Sequence, residues 1–494
     1  MLASGQACVR AAPDRRLVVA YPAGLPSTNP YDPSQEEYGA SILANVYEAL
    51  VTTGPDMSLR PGLAEAWHSP DALTWVFTLR SSVLFHDGAV LTPAHVVASF
   101  ERARSEYPWV RGELEAVTDL RVQGEHEVVF KTRVPLNGLP SRLTYLFVTG
   151  APSATESASG TGPYSIRSWE PSGRTVLEAF SAYHGARASI RFVEFVTIPG
   201  GHERARELER GHVNLIGDAQ PDDMARLKAT SGIRTLVVPG LRTVFVGVDC
   251  ARPKSPYIGP PGNPFRDRRV RQGIALAIDR EALVTGPLRG FADPANQIPT
   301  PHEVGFVSLL EGTPSDPVRA RRLLSEAVPG GFDVQLDYSP GKYLAIDGVV
   351  QMLLAQLADV GVRVHPQAFT ASGLVNRIES GNTSFFLLGW RNESGSAEES
   401  YFSLLHSRVR GAGAVNGVGY SNPEFDRLLE AASAEMDYGK GVELLRHATE
   451  IVNAELPIIP LYREKDLYAF SSNLLFETQL NPRIPIARMR FAEQ

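Results

Sequence analysis

Apolar positions along the chain switch between the two-residue alternation of strands and the three-to-four-residue spacing of helices. Arg16-Leu17-Val18-Val19-Ala20-Tyr21 reads as a first strand, and 22–33, rich in Pro, Gly, Ser and Asn, as a loop. Ile42, Val46 and Leu50 recur about one turn apart and predict a helix over 38–50. Trp75, Phe77 and Leu79 alternate with Val76, Thr78 and Arg80, the pattern of a half-buried strand. Thr92-Pro93 supplies an N-cap and a first-position proline for a helix to about Ala103. Val270, Ile274, Ala277 and Ile278 form one helical stripe, which places Arg266, Arg268, Arg269 and Arg271 on a solvated face. Asp316-Pro317 caps a helix carrying Leu323 and Leu324, and 332–338 alternates as a strand. Val350, Leu353, Leu354 and Leu357 then stripe a helix closed by Gly361, with a strand over 362–364. Strand–helix–strand order of this kind implies an α/β lobe.

At 494 residues the chain is too long for one core, so two or three domains are expected. The composition is that of a globular protein, and the net charge of −7 argues against a nucleic-acid partner. No apolar run approaches the ~18 residues that span a bilayer. The two cysteines, Cys8 and Cys250, build neither a disulfide scaffold nor a zinc site. His202 and His212 flank a charged segment, 203–210, at the wrong spacing for a metal pair on one helix face. There is no HExxH, G-x-S-x-G or full Walker sequence, and no cofactor is implied. Pro163 removes a backbone donor from Gly160-Thr161-Gly162, which disfavours a phosphate cradle.

Three blocks carry more than periodicity. The first is Leu59-Arg60-Pro61-Gly62-Leu63-Ala64-Glu65-Ala66-Trp67 followed by Val83-Leu84-Phe85-His86-Asp87-Gly88, in which His86 is expected to fix the turn. The second is Gly160-Thr161-Gly162-Pro163-Tyr164. The third is Leu241-Arg242-Thr243-Val244-Phe245 with Pro264-Phe265-Arg266-Asp267-Arg268-Arg269-Val270-Arg271-Gln272. Together they closely resemble the family 5 extracellular solute-binding proteins, the dipeptide-, oligopeptide- and nickel-binding components of ABC importers, over about 17–470.

The resemblance implies a two-lobed, periplasmic-binding-protein-like (type II) α/β fold of the large three-subdomain variety, with a hinge between lobes. Residues 1–14 would be a signal remnant or a tail, 15–241 lobe I with a peripheral subdomain at 46–157, 242–465 lobe II, and 466–494 a return to lobe I. It also implies a monomer that captures a peptide or peptide-like ligand by hinge closure and delivers it to membrane permease subunits. The location would be the periplasmic or extracellular face of the membrane, with Cys8 as a lipidation candidate. A non-peptide ligand (nickel chelate, haem, opine or oligosaccharide) is the alternative, and a hydrolase on the same scaffold a remote one.

In the peptide binders a carboxylate follows Gly-Trp by three positions and grips the ligand ammonium. Glu393 falls there after Gly389, Trp390, Arg391 and Asn392, unless it is a solvated loop acid. Trp390 would stack on the ligand or plug the lobe core. Arg391 would hold a ligand carboxylate or pair with a neighbouring glutamate. Lys342 would substitute for a carboxylate-binding arginine or lie exposed. Tyr21 marks a backbone edge for an extended peptide, and Phe245 a cleft wall or hinge-adjacent core. Glu398 and Glu399 are expected to be exposed and to matter little.

Overall fold

The computed structural model describes residues 16–492 except 36, 151–158, 260–261, 313, 410–411, 478 and 482; Cys8 lies outside the described residues. Two lobes share an eleven-stranded mixed sheet. From one edge its order is Tyr164–Trp169, Thr175–Ala179, Phe192–Thr197, Leu17–Tyr21, Leu215–Ile216, Ile458–Ser471, Ile233–Val248, Phe385–Arg391, Phe332–Tyr338 and Val362–Ala368, with Ala292–Pro294 pairing with Ile458–Ser471 off this path. Each lobe has a parallel core, Leu17–Tyr21 beside Phe192–Thr197 in the first and Phe332–Tyr338 beside Val362–Ala368 in the second. Leu17–Tyr21 is a continuous apolar run, as expected of a strand buried on both faces, whereas Phe332–Tyr338 alternates and Val362–Ala368, at the edge of the sheet, is mostly exposed.

Two long strands, Ile233–Val248 and Ile458–Ser471, carry the chain between the lobes as an antiparallel pair. Their ladder is regular from Ile233 to Pro239 and resumes at Thr243, with a register shift between. A Cβ at Gly240 would lie 2.3 Å from the Glu464 carbonyl oxygen, so only glycine lets the strands approach there. Irregularities of this kind bend a strand and re-aim its side chains. Here they turn Arg242 and Glu464 toward the seam between the lobes.

A smaller sheet, Ala64–Asp71, Thr74–Leu79, Glu127–Thr132 and Val117–Gln123, is covered by the helix Pro93–Glu106. Val96, Phe100 and Ala103 of that helix pack with Phe77 and Phe130 in a separate core. The His86 ring joins two sequence blocks, facing the Gly162 carbonyl at 3.0 Å through Nε2 and accepting from the Gly160 N–H at 3.3 Å through Nδ1.

Two expectations fail. The helix expected over 38–50 is only Glu37–Leu43, followed by a turn and the short strands Glu48–Ala49 and Val51–Thr53. The Asn45 side chain ends it by bonding the C-terminal segment, donating to the Ile484 carbonyl and accepting from the Ile486 N–H. Arg271 is not solvated but buried, its guanidinium donating to the carbonyls of Glu455 and Phe265 at 2.7 Å each.

Gly240→Val should lower stability by about 1–3 kcal/mol, the usual cost of overpacking a closed site. Urea unfolding followed by circular dichroism checks it; an unchanged midpoint would mean that the strands part freely at this point.

Candidate functional site

The seam between the lobes is lined by ionised groups in two clusters. The inner cluster lies beside the crossing strands. Glu37, opening a first-lobe helix, is bonded to Arg242 on the first crossing strand and lies 3.4 Å from Arg391 Nε at the end of Phe385–Arg391. Arg242 also donates to Glu464 at 2.8 Å, and Arg391 pairs with Asp466 at 3.0 Å. Glu464 accepts in addition from the Leu344 N–H at 2.7 Å. Burial raises the Glu37 pKa, but the guanidiniums of Arg242 and Arg391 outweigh it and hold the carboxyl at about 2. Gly389 makes this packing possible, since a Cβ there would lie 2.7 Å from the Tyr343 ring and 2.9 Å from Arg242 Cδ.

The outer cluster lies where the peripheral subdomain meets the second lobe. Arg142 reaches across to Glu398 at 3.3 Å, and Arg483, from the C-terminal segment, to Glu393 at 2.8 Å. A backbone bond from the Asn137 N–H to the Ser433 carbonyl, 2.9 Å, spans the same gap. Glu113 accepts from the Tyr145 hydroxyl at 2.8 Å. Glu303 is buried and accepts only from neutral donors, the Thr300 N–H at 3.0 Å and Asn392 Nδ2 at 2.7 Å. Glu399 has no ion-pair partner among the described residues; the Trp390 indole N–H approaches it at 3.3 Å. Burial pushes the Glu399 carboxyl up to about 8, helped by the neighbouring Glu113 charge. Burial likewise pushes Glu303 up to about 7 against its hydrogen bonds from Thr300 and Asn392. Among the described residues five carboxyl groups here meet two guanidiniums, a surplus of acids in a desolvated place that is relieved by holding Glu399 and Glu303 protonated.

The structure thus brings Gly389, Trp390, Arg391 and Glu393 to the seam. Asn392 sits behind them, 2% exposed, its amide bonded to Glu303, Ser396, Ser394 and Ser400. Phe245 is fully buried in the second-lobe core, edge-on to Phe386. Tyr21 is buried against Phe195 and bonded to Ser41. Lys342 is half-buried and adds to the positive field at Glu37. The expectation that Glu398 and Glu399 are exposed fails: Glu398 pairs with Arg142 across the seam and Glu399 is half-buried beside the Trp390 indole. Glu37, Glu303, Glu464, Asp466 and Arg483 were not singled out from the sequence. Their partners come from distant segments, and no local spacing marks them. A cavity of about 350 Å³ lined by Leu324, Val328, Phe332 and Val362 lies at the far end of the second lobe, away from these charges. Among the described residues no group of three or more His, Cys, Asp or Glu could hold a metal, and no helix is long and apolar enough to cross a membrane.

The sequence model described as "Bacterial extracellular solute-binding proteins, family 5 Middle" matches residues 58–412. The glutathione-binding protein GsiB of Salmonella paratyphi A is 26% identical, over 96% of this chain and 94% of its own. In fold the chain is similar to the periplasmic binding protein DppA from Helicobacter pylori in complex with the peptide STSA, with a TM-score of 0.85 and 21% identity, covering 97% of this chain and 98% of that one. NikA from Staphylococcus aureus in complex with Ni(L-His)2 superposes with a TM-score of 0.82 and 16% identity, covering 96% and 99%.

Glu399 and Glu303 hold protons in the folded chain that the unfolded chain, near 4.5, has already released. Their stabilising contribution is complete below that value and is lost as pH rises through about 7 to 8. Glu399→Gln should therefore be more stable than the parent by about 1–2 kcal/mol at alkaline pH, and the gain should shrink to within ~0.5 kcal/mol in mild acid. Thermal unfolding across pH checks this; a gain independent of pH would show that the carboxyl is not buried as protonated acid.

Proposed function

The chain belongs to the bacterial extracellular solute-binding proteins of family 5, and from that premise we propose that it captures a peptide or peptide-like ligand with a free amine between its lobes. It is a solute-binding component of an ABC importer, the role of this family, whose members work in the periplasm or outside the cell. The observation that carries the peptide reading is the surplus of acidic side chains over cations in the outer cluster beside the Trp390 indole, which suits an ammonium group. The relatives named for glutathione and for the peptide STSA point the same way.

In this reading Glu393 receives the ligand ammonium, with Arg483 holding its second oxygen in place. Trp390 forms a wall. Arg391 and Lys342, at the inner end, lie where a ligand carboxylate would be received. The strand edges at Gly389 and Tyr21 offer backbone groups, while Asn392 and Phe245 support the loop and strand from behind. The ladder break at Pro239–Thr243 serves as the hinge, and ligand favours the closed form because only that form contacts it from both lobes. The protein acts as a monomer, is lipid-anchored through Cys8, and releases its ligand chemically intact to the permease.

Titration calorimetry with free and N-acetylated tripeptides tests this. Glu393→Gln should weaken free-amine binding by roughly 2–5 kcal/mol, because an ammonium in a closed cleft loses its counter-ion. Acetylated peptides should bind the parent poorly and lose less in the variant. Ligand at a hundredfold excess over Kd should add about 2.7 kcal/mol of stability and reduce the radius of gyration in solution scattering. Equal affinity for free and acetylated peptides would sink the amine reading.

A further inference from the structure

The charge surplus at the outer seam says more than that an amine is welcome. Glu393 is already half-satisfied by Arg483 and Glu398 by Arg142. Among the described residues those are the two cations that bridge this part of the seam. Glu113, Glu303 and Glu399 remain, held only by neutral donors or by a guanidinium 3.9 Å away. One α-ammonium at Glu393 would leave them uncompensated. Resting on the cleft-capture reading above, we propose that this site selects a ligand carrying a second cationic group, an alkylammonium or guanidinium, received by Glu399 beside the Trp390 indole.

The geometry supports the placement. Glu399 sits in the first turn of the helix Ala397–Leu404, whose start is fixed by the Ser396 side chain accepting from the Glu398 N–H at 3.3 Å. Trp390 is the penultimate residue of the strand Phe385–Arg391, so two rigid elements of the second lobe aim an aromatic edge and a carboxyl at one place. The first lobe closes over that place with Glu113 rather than with a cation, and the residues that could have neutralised Glu399 are engaged elsewhere. Burial and the Glu113 charge then hold Glu399 protonated when no ligand is present. A ligand cation converts it to a carboxylate with a partner, the strong form of hydrogen bond. Closure over a basic ligand thus removes a penalty that closure over a neutral or anionic one leaves in place. A tripeptide such as glutathione, with two carboxylates against one ammonium, has the wrong sign for this end of the seam.

The test is a calorimetric panel on the full chain: Ala-Ala-Ala, the three tripeptides with one lysine among alanines, spermidine and glutathione. At least one lysine tripeptide should bind tenfold or more tighter than Ala-Ala-Ala, and glutathione should bind more weakly than either. In Glu399→Gln the lysine-to-alanine affinity ratio should fall toward one, and in Glu399→Asp it should recover in part. Ala-Ala-Ala binding as tightly as every lysine tripeptide would overturn the second-cation inference while leaving peptide capture standing. Glutathione binding tightest would do the same. Spermidine binding with all tripeptides failing would support the cationic selectivity and remove the peptide reading instead. A lysine preference unchanged in Glu399→Gln would overturn the assignment to Glu399.

Discussion

Charge buried at a seam between two bodies governs this molecule. A carboxylate taken out of water costs several kcal/mol unless a cation or strong donors meet it. At Glu37 the partners are Arg242, on a crossing strand, and Arg391, in the second lobe. Glu37 of the first lobe is met by a cation of the second, so complementary charge helps to specify how the lobes meet. At the inner end the match is nearly complete. At the outer end it is not, and the shortfall is where we propose that the ligand amine is received.

This division of labour fits a protein that must open and shut. An apolar seam would close whether or not cargo was present. Ion pairs formed across water on opening cost little to break, because each group regains its hydration. The crossing strands supply the bend at Gly240 without losing their pairing on either side. The inner cluster surrounds that bend, so a change of lobe angle is felt first by Glu37, Arg242 and Arg391.

Much of the fold was legible because its signals are local. The capped helix at Pro93, the alternating strand at Thr74–Leu79 and the parallel unit from Phe332 to Ala368 follow from spacing within about fifteen residues. The helix expected over 38–50 misled because Ile42, Val46 and Leu50 keep helical spacing while Asn45 is claimed by a segment more than four hundred residues away. The site was legible in part for the same reason. Gly-Trp marks the loop, and the loop does reach the seam. What Glu393, Glu398 and Glu399 face there is decided by Arg483, Arg142 and Glu113, which lie on other elements. Residue type is written at a position; its electrical environment is written by the tertiary fold.

The position of Ile458–Ser471 in the sheet sets an order on synthesis. That strand lies between Leu215–Ile216 and Ile233–Val248, in the middle of the sheet, yet it is synthesised after every other strand of that sheet. Domains otherwise tend to fold from the N-terminus as they emerge. Here the first lobe lacks a central strand, and the strap after it that holds Asn45, Thr53 and Glu393, until every other strand of the sheet has been made. A nascent chain of this design stays unlocked, and therefore threadable, until that late strand emerges to join its two neighbours.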